Sequence, residues 1–144
     1  MIHLPPDLAY QLLARFTALG LHLARQFRLT PHQLTTLVIL AGNGPSHFKD
    51  LRQTLDIPKS TLTFTLDGLQ RRRLVSTRRD PRDRRQWLVA LTKKGTEMSE
   101  VVSRQRADTL NPLFRLLEDE GNERSAKLLE EMRRPPSPGD DKRF

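Results

Sequence analysis

Apolar side chains recur at steps of three and four residues over much of the chain, a spacing that lines them along one face of an α-helix. The first stripe predicts a helix over residues 5–27. A second helix is predicted to begin after Thr30, whose hydroxyl can cap it and whose partner in a capping box is Gln33. The turn-forming run 42–45 predicts the end of that helix.

Two shorter helices and a hairpin follow. Ser46 is the predicted cap of a third helix, and Pro58 opens a fourth that carries leucines at steps of four and three. Short strands are predicted at residues 74–79 and 86–91, because apolar and polar positions alternate there. The loop between them, residues 80–85, is rich in turn-forming residues and arginine.

The last third of the chain returns to helical spacing. A long helix is predicted after Gly95, and Asn111-Pro112 is expected to kink or break it. A last helix is predicted before residue 134, and the tail 135–144 should be disordered. The order of elements predicts a mainly α (α+β) fold. Its architecture is a winged helix-turn-helix with a two-stranded β wing and outer helices at both ends.

The outer helices would leave their apolar stripes exposed in a single copy. We therefore predict a homodimer that buries these stripes between two chains. The candidate dimerisation residues are Leu8, Leu12, Phe16, Leu113, Leu116, Leu117, Leu128, Leu129 and Met132.

The net charge of +8 is concentrated in the middle of the chain. Residues 31–95 carry thirteen basic and five acidic side chains, whereas the charges of the two flanks nearly cancel. A localised basic block is typical of a protein with a polyanionic partner, although many folded domains have a basic surface for solubility alone. The stretch RRDPRDRRQWLVAL, residues 78–91, places much of this charge on the hairpin, where it adds nothing to a core.

Several classes of site are absent from the sequence. There is no cysteine, which excludes disulfides, thiolate zinc sites and cysteine-based redox sensing. The four histidines are not spaced to share a metal, and we find no Gly-rich phosphate loop, nucleophile elbow or pair of acid–base carboxylates. We therefore expect no metal, no cofactor and no enzymatic activity. No apolar run approaches roughly 18 residues, and the N-terminus lacks a secretory layout, so we expect a cytoplasmic protein without a membrane partner.

The block Asp80-Pro81-Arg82-Asp83-Arg84-Arg85, followed by Leu91-Thr92-Lys93-Lys94-Gly95, resembles the wing signature of the MarR family of winged-helix transcription regulators. Residues 60–69 and Leu74-Val75 resemble the recognition helix and first wing strand of that family. The resemblance covers roughly residues 7–133. It implies a homodimer on a near-palindromic double-stranded DNA site, with the recognition helix in the major groove and the wing in the minor groove. Many members release DNA when a small aromatic or lipophilic compound binds between the DNA-binding lobe and the dimerisation helices.

On this basis the chain divides into four parts. Residues 1–29 form the N-terminal dimerisation helix, and residues 30–95 form the winged helix-turn-helix DNA-binding lobe. Residues 96–134 supply the C-terminal dimerisation helices, and the tail follows.

The fourth helix carries the candidate major-groove residues, whose short hydroxyl side chains suit close approach to DNA but could equally be ordinary surface residues. These candidates are Lys59, Ser60, Thr61, Thr63 and Thr65. Phe64 either contacts a thymine methyl group or packs under the wing, and we favour the packing. His47, at the start of the third helix, is a candidate for a phosphate contact. His22 is either solvated, which we favour, or reaches a ligand cleft.

The wing arginines are predicted to enter the minor groove, which is about 6 Å wide and strongly negative. Arg84 is the first candidate for insertion and Arg82 is the second. Contacts with backbone phosphates are expected of four further arginines, which fix position without reading sequence. These are Arg71, Arg72, Arg78 and Arg79.

Arg85 has two predicted roles, one in DNA binding and one in orienting the wing. Asp83 lies two residues earlier on the hairpin, and the resemblance implies Asp67 as the other acidic partner. We favour an ion pair that orients the wing over an exposed pair worth under about 1 kcal/mol. Arg73 stands where the family commonly has glycine, so we expect either an extra helical turn or a strained cap that costs about 1 kcal/mol.

These features predict a sequence-specific double-stranded DNA-binding transcription regulator that acts as a homodimer and represses its targets. Release by a small-molecule effector is a further expectation. The alternative is a winged-helix module that binds protein, or binds DNA architecturally without reading its sequence.

Overall fold

The computed structural model describes the backbone of residues 6–119, and the side chains within that range except those at positions 7–9, 12, 109 and 112–119. The described part is mainly helical with one small antiparallel sheet, which confirms the predicted fold class. In chain order the elements are α1 (Pro6–Gln26), α2 (Pro31–Asn43), β1 (Ser46–His47), α3 (Phe48–Leu55), α4 (Lys59–Arg71), β2 (Val75–Arg79), β3 (Trp87–Leu91) and α5 (Lys93–Asp119).

The α2 boundaries follow the local chemistry of the sequence. The Thr30 hydroxyl accepts a hydrogen bond from the Gln33 backbone N–H at 3.2 Å, and the Gln33 side chain accepts one from the Thr30 N–H at 3.0 Å. This confirms the predicted capping box. At the other end, Gly44 has a φ of 74°, which glycine adopts without steric cost, and its N–H donates to the Leu40 carbonyl.

The sheet has the order β1-β3-β2, so a short strand joins the predicted two-stranded wing. Ser46 pairs with Val89 in this strand, and the Ser46 hydroxyl donates to the Gly44 carbonyl instead of capping a helix. The predicted Ser46 cap is therefore wrong, and α3 begins at Phe48 with His47 in the N-cap position. Ser46 and His47 pair with β3, although the sequence pattern placed them at the start of a helix.

The hydrophobic core joins the helix-turn-helix, the sheet and α5. Its fully buried side chains include Leu37, Leu40, Leu51, Leu62, Leu69, Leu74, Val89 and Val102. Gly95, in the first turn of α5, is required by this packing, because a Cβ there would lie 1.9 Å from the Leu74 carbonyl oxygen. The start of α5 is thereby held directly against the start of β2.

The end of α4 contains a left-handed arginine. Arg73 has a φ of 58°, and the Leu74 N–H donates to the Leu69 carbonyl at 2.9 Å, as in a Schellman motif. Of the two expected outcomes at Arg73, the strained cap is therefore confirmed and the extra helical turn is wrong. The carbonyls released at this end bind the start of α5, because the Thr92 hydroxyl and the Lys94 ammonium donate to the Arg73 and Arg72 carbonyls.

The predicted break at Asn111-Pro112 is wrong, because α5 continues to Asp119, whereas the alternative of a kink stays a prediction. A proline removes one backbone hydrogen bond, and the turns on both sides retain theirs. The predicted last helix with Leu128, Leu129 and Met132, and the tail 135–144, lie outside the described residues. Within residues 6–119, none of the helices combines the length and apolar character that a bilayer span requires.

The candidate dimerisation residues are only partly within the described region. Phe16 is half-buried on α1, whereas the side chains of Leu8 and Leu12 are outside the description. The same holds for Leu113, Leu116 and Leu117, whose backbones lie in α5.

Candidate nucleic-acid interface

The α4 helix has one buried face and one exposed face. Leu62, Leu66 and Leu69 are buried, as their spacing predicts. Because successive residues turn by about 100°, the opposite face carries Ser60, Phe64, Asp67 and Arg71. All four of these side chains are exposed. This second face, which we call the outer face of α4, takes no part in the core.

One predicted contact residue on α4 faces the core. Thr65 is only 3% exposed, and its hydroxyl donates to the Thr61 carbonyl at 2.8 Å. Its selection as a DNA contact is therefore wrong. Position 65 lies three residues after Leu62 and four before Leu69, which places it on the buried face of the helix.

The other polar candidates of α4 remain accessible. Lys59, Ser60 and Thr63 are exposed, and Thr61 is half-buried. The Thr63 hydroxyl donates to the Lys59 carbonyl at 2.9 Å, which leaves its oxygen available to accept a further hydrogen bond. No side chain caps the N-terminus of α4, where Pro58 is the N-cap residue.

Two environments were predicted for Phe64, a thymine methyl group of DNA or the underside of the wing. Its side chain is 69% exposed, so it does not pack under the wing, and that interpretation is wrong. Position 64 lies on the outer face of α4, and the wing packs beside a different flank of the helix, where it shares a cleft with Lys59 and Thr63.

Two side-chain contacts hold the base of the wing. The His47 Nε2 lies 2.6 Å from the Asp80 carboxylate, across 33 positions of sequence, and the Gln70 amide donates to the Thr77 hydroxyl at 2.7 Å. The first contact joins the N-terminus of α3 to the end of β2, and the second joins α4 to β2. The histidine thus has a partner within the protein, in place of the phosphate that the sequence suggested.

The His47–Asp80 contact is electrostatically favourable. The hydrogen bond with Asp80 raises the pKa of the His47 imidazole above its ordinary 6.5, and the Asp50 carboxylate, 3.5 Å from Nδ1, acts in the same direction. The same hydrogen bond lowers the pKa of the Asp80 carboxyl below 3.8, assisted by the Arg82 backbone N–H. Sequence reasoning missed this pair, because nothing in the pattern links two positions so far apart.

The ion pairs predicted for Arg85 are not formed among residues 6–119. The Asp83 carboxylate instead accepts a hydrogen bond from the Arg85 backbone N–H at 3.0 Å and closes a local turn. Arg85 and Asp67 do line the same cleft of about 400 Å³ between α4 and the wing, without reaching ion-pair distance. The observed wing contacts are those of His47 and Gln70.

The arginines that the sequence predicts to bind DNA divide into two groups. Arg72 is half-buried, and its guanidinium donates to the Phe27 and Arg28 carbonyls at 3.1 and 2.8 Å. Arg79 stacks on the Trp87 ring, 4.1 Å from its centroid. Arg72 is thus a structural residue that joins α4 to the α1–α2 turn, and its contact with a phosphate stays a prediction.

The second group of arginines points into solvent. Their side chains are exposed and have no protein partner within the described part of the chain. This group consists of Arg71, Arg78, Arg82, Arg84 and Arg85. The Asp80 and Asp83 carboxylates accept from the Arg82 and Arg85 backbone N–H groups, so the wing loop holds its shape while its guanidinium groups stay free.

Comparison with known proteins identifies the chain. A model of the MarR family matches residues 29–86, which include the helix-turn-helix and most of the wing. The transcriptional repressor NicR of Pseudomonas putida is 34% identical over 90 residues, which are 62% of this chain and 55% of NicR. Residues 29–86 of this chain belong to the MarR family. The match thus spans about half the length of NicR. The match to a family of transcription regulators confirms the expectation that the chain is not an enzyme.

Solved structures of MarR-like proteins share the fold. The Staphylococcus aureus MepR–DNA complex has a TM-score of 0.67 at 22% identity, covering 90% of this chain and 96% of MepR. Reduced AbfR bound to DNA has a TM-score of 0.57 at 26% identity, covering 78% of this chain and 86% of AbfR. The likeness confirms the MarR-like winged-helix architecture, with the wing formed by β2 and β3.

A second cleft of about 730 Å³ lies at the junction of the MarR-like lobe and α5. Leu40, Pro45 and Leu91 are among its apolar lining residues, and Glu100 and Arg104 supply charge. His22 is exposed and does not line this cleft or the cleft beside α4. The geometry therefore agrees with a solvated His22.

Proposed function

We propose that this chain is a sequence-specific double-stranded DNA-binding transcription regulator that acts as a homodimer. The observation that carries the proposal is the arrangement of α4 beside the wing. Lys59 and Thr63 of α4 and Arg85 of the wing border one cleft. The adjoining wing loop presents exposed guanidinium groups that have no partner among the described residues. This chain is similar to NicR, which is named a transcriptional repressor, and the similarity supports repression as the mode of action.

Each group of side chains has a distinct role in this proposal. Lys59, Ser60 and Thr63 face the major groove, where Thr61 lies at the margin of the contact. Arg82 and Arg84 enter the minor groove, because guanidinium groups are attracted to its negative potential. Phosphate contacts fall to Arg71 and Arg78, joined by Arg85 at the edge of the cleft.

The homodimer rests on the apolar surface of α1. Tyr10 is 75% exposed and Leu13 is 63% exposed, and side chains of this kind are costly to leave in water as a group. The match to the MarR family supports a second copy of the chain as the partner that covers this surface. A dimer would also position two recognition helices on two half-sites.

The test is selection of bound duplexes from a random pool, followed by affinity measurement on the enriched sequence. We expect a near-palindrome whose half-sites lie about one helical turn apart. If about six to ten phosphates are neutralised per dimer, the affinity falls by roughly 10³–10⁵ between about 50 and 200 mM salt. Uniform coating of DNA without an enriched sequence would support the architectural alternative, and a salt slope near zero would contradict DNA binding.

We also propose that a small aromatic or lipophilic effector binds the cleft beside α5. Its volume of about 730 Å³ is sufficient for such a ligand, and Arg104 offers a cation for a carboxylate. A panel of substituted benzoates and neutral aromatics is added to the enriched duplex, and release of DNA is measured by fluorescence anisotropy. Release by the wild type that is lost when Ala41, an exposed residue that also lines the cleft, is replaced by Phe supports the cleft. Release that is unchanged places the ligand elsewhere.

A further inference from the structure

Phe64 is an unusual residue for its position on α4. It is 69% exposed at the centre of the outer face, with Ser60 one turn before it and Asp67 and Arg71 after it. The ring belongs neither to the hydrophobic core nor to the partly buried apolar side chains packed against that core. It also does not line the cleft between α4 and the wing. Its contact partner is therefore not supplied by the residues that the structure describes.

The polar neighbours of Phe64 indicate what that partner is. The outer face of α4 is otherwise hydroxyl-bearing or charged, and the basic side chains of Lys59 and Arg71, at the two ends of the helix, are both exposed. The short side chains of Ser60 and Thr63 allow the helix axis to approach a groove floor closely. An apolar ring projecting from such a surface needs an apolar feature within a polar, anionic ligand.

The major groove of DNA has one such feature. Of the groups that the four bases present there, only the C5 methyl of thymine is apolar. We infer that Phe64 determines sequence specificity by contacting a thymine methyl group in each half-site. This inference rests on the proposed function, since it requires α4 to lie in the major groove. It adds a base preference to a helix whose other side chains offer hydroxyl, amine and guanidinium groups.

The inference is tested by removing the methyl group alone. Each thymine of the enriched operator is replaced in turn by uracil, symmetrically in both half-sites, and binding of wild type and Phe64→Ala is measured by fluorescence anisotropy. Uracil keeps every hydrogen-bonding group, so only methyl contact is lost. We expect one symmetric replacement to weaken wild-type binding by about fifteen-fold, or about four-fold per methyl. Phe64→Ala should bind the thymine and uracil operators equally.

Two further variants identify the side chain responsible. Arg71→Ala, which removes a charge from the same face, should weaken binding to both operators and keep the thymine-to-uracil ratio. Phe64→Leu should retain an intermediate ratio, because it keeps part of the apolar contact. A ratio unchanged in Phe64→Ala overturns the inference, as does wild-type binding that stays within about two-fold for every uracil operator.

Failure of the proposed function gives a different result. A random pool from which no sequence is enriched overturns both the regulator and the Phe64 inference. An enriched operator that is insensitive to uracil overturns the inference alone. If Phe64→Ala instead loses self-association, measured by light scattering, and keeps the ratio, the ring contacts a second copy of the chain and the inference fails.

Discussion

Arg72 and Arg73 at the end of α4 are part of the fold, whereas Arg82 and Arg84 at the tip of the wing have no partner among residues 6–119. At the first region, the Arg72 guanidinium binds two carbonyls and Arg73 adopts a left-handed backbone. At the second region, the guanidinium groups are exposed, and the Asp80 and Asp83 carboxylates accept from the Arg82 and Arg85 backbone N–H groups instead of pairing with a guanidinium. The two regions lie within one lobe, and both are rich in arginine.

The difference follows from what surrounds each arginine. A helix end releases carbonyls that need donors, and a guanidinium nearby satisfies them. A hairpin tip has few unsatisfied acceptors of its own, and Asp80 and Asp83 already serve its N–H groups. Arginine density alone therefore does not locate a DNA interface. The proposed interface depends instead on the arginines that have no partner among the described residues.

The largest expected effect comes from the tip. Replacement of Arg82 and Arg84 by alanine should weaken operator binding by roughly 100-fold and reduce the salt slope by up to about four per dimer. The urea midpoint should not change, because neither guanidinium has a hydrogen-bond or ion-pair partner among the described residues. As a charge-matched control, Arg25→Ala/Arg106→Ala removes two exposed arginines outside the basic block. If the control variant weakens operator binding equally, the arginines of the tip act only through the net charge of the protein.

The end of α4 should respond in the opposite way. Arg72→Ala removes two hydrogen bonds between a guanidinium and backbone carbonyls, and should lower the free energy of unfolding by about 1–2 kcal/mol. Urea denaturation measures this loss, and operator affinity of the folded protein should stay constant. The neighbouring Arg71→Ala is the control, with unchanged stability and weaker DNA binding. If the two variants behave alike, the comparison between the regions fails.

The left-handed cap gives a smaller effect of opposite sign. Arg73→Gly should raise the free energy of unfolding by about 0.5–1 kcal/mol, because glycine adopts a φ of 58° without the steric cost of a Cβ. Urea denaturation again provides the measurement. Arg71→Gly, in the last turn of α4, should instead destabilise the protein. A loss of stability in Arg73→Gly would show that the arginine side chain outweighs the backbone cost.

The smallest expected effect is the pH dependence at the base of the wing. The raised pKa of His47 gives stability that is complete below 6.5 and is lost as the pH rises through the raised value. The lowered pKa of Asp80 gives stability that is present above 3.8 and is lost as the pH falls through the lowered value. The pair therefore stabilises the fold most between these two values.

His47→Gln tests this window. The urea midpoint of the wild type should exceed that of the variant at about pH 5.5, and the difference should shrink at about pH 8.5. Asp50→Asn, which removes only the weaker contact at 3.5 Å, should keep most of the pH dependence. A difference that is independent of pH would exclude a charged His47–Asp80 pair.

Much of the fold could be predicted from the sequence because its signals are local. The capping box at Thr30, the end of α2 at Gly44 and the buried leucines of α4 each depend on residues within one or two turns. The wing was recognisable for the same reason, since its turn residues and alternating strand are contiguous. Errors arose where a distant element competes for the same atoms, as β3 does at Ser46.

The interface stays a prediction, and the structure contradicts it at several residues. Thr65 and Arg72 have the same side chains as neighbouring residues that remain exposed. The structure separates them, because the environment of a side chain depends on where the core and the nearby carbonyls lie. The partner of His47 is 33 residues away, so no spacing rule reveals it.

The sequence by itself determined that this chain is a helix-turn-helix with a basic wing, since helix periodicity, capping, turn chemistry and charge are properties of neighbouring residues. Only the tertiary structure decided which hydroxyls and arginines remain free to bind, and that Phe64 projects outward. The physical reason is that burial and hydrogen-bond pairing depend on residues distant in sequence, and these contacts form only when the elements pack together.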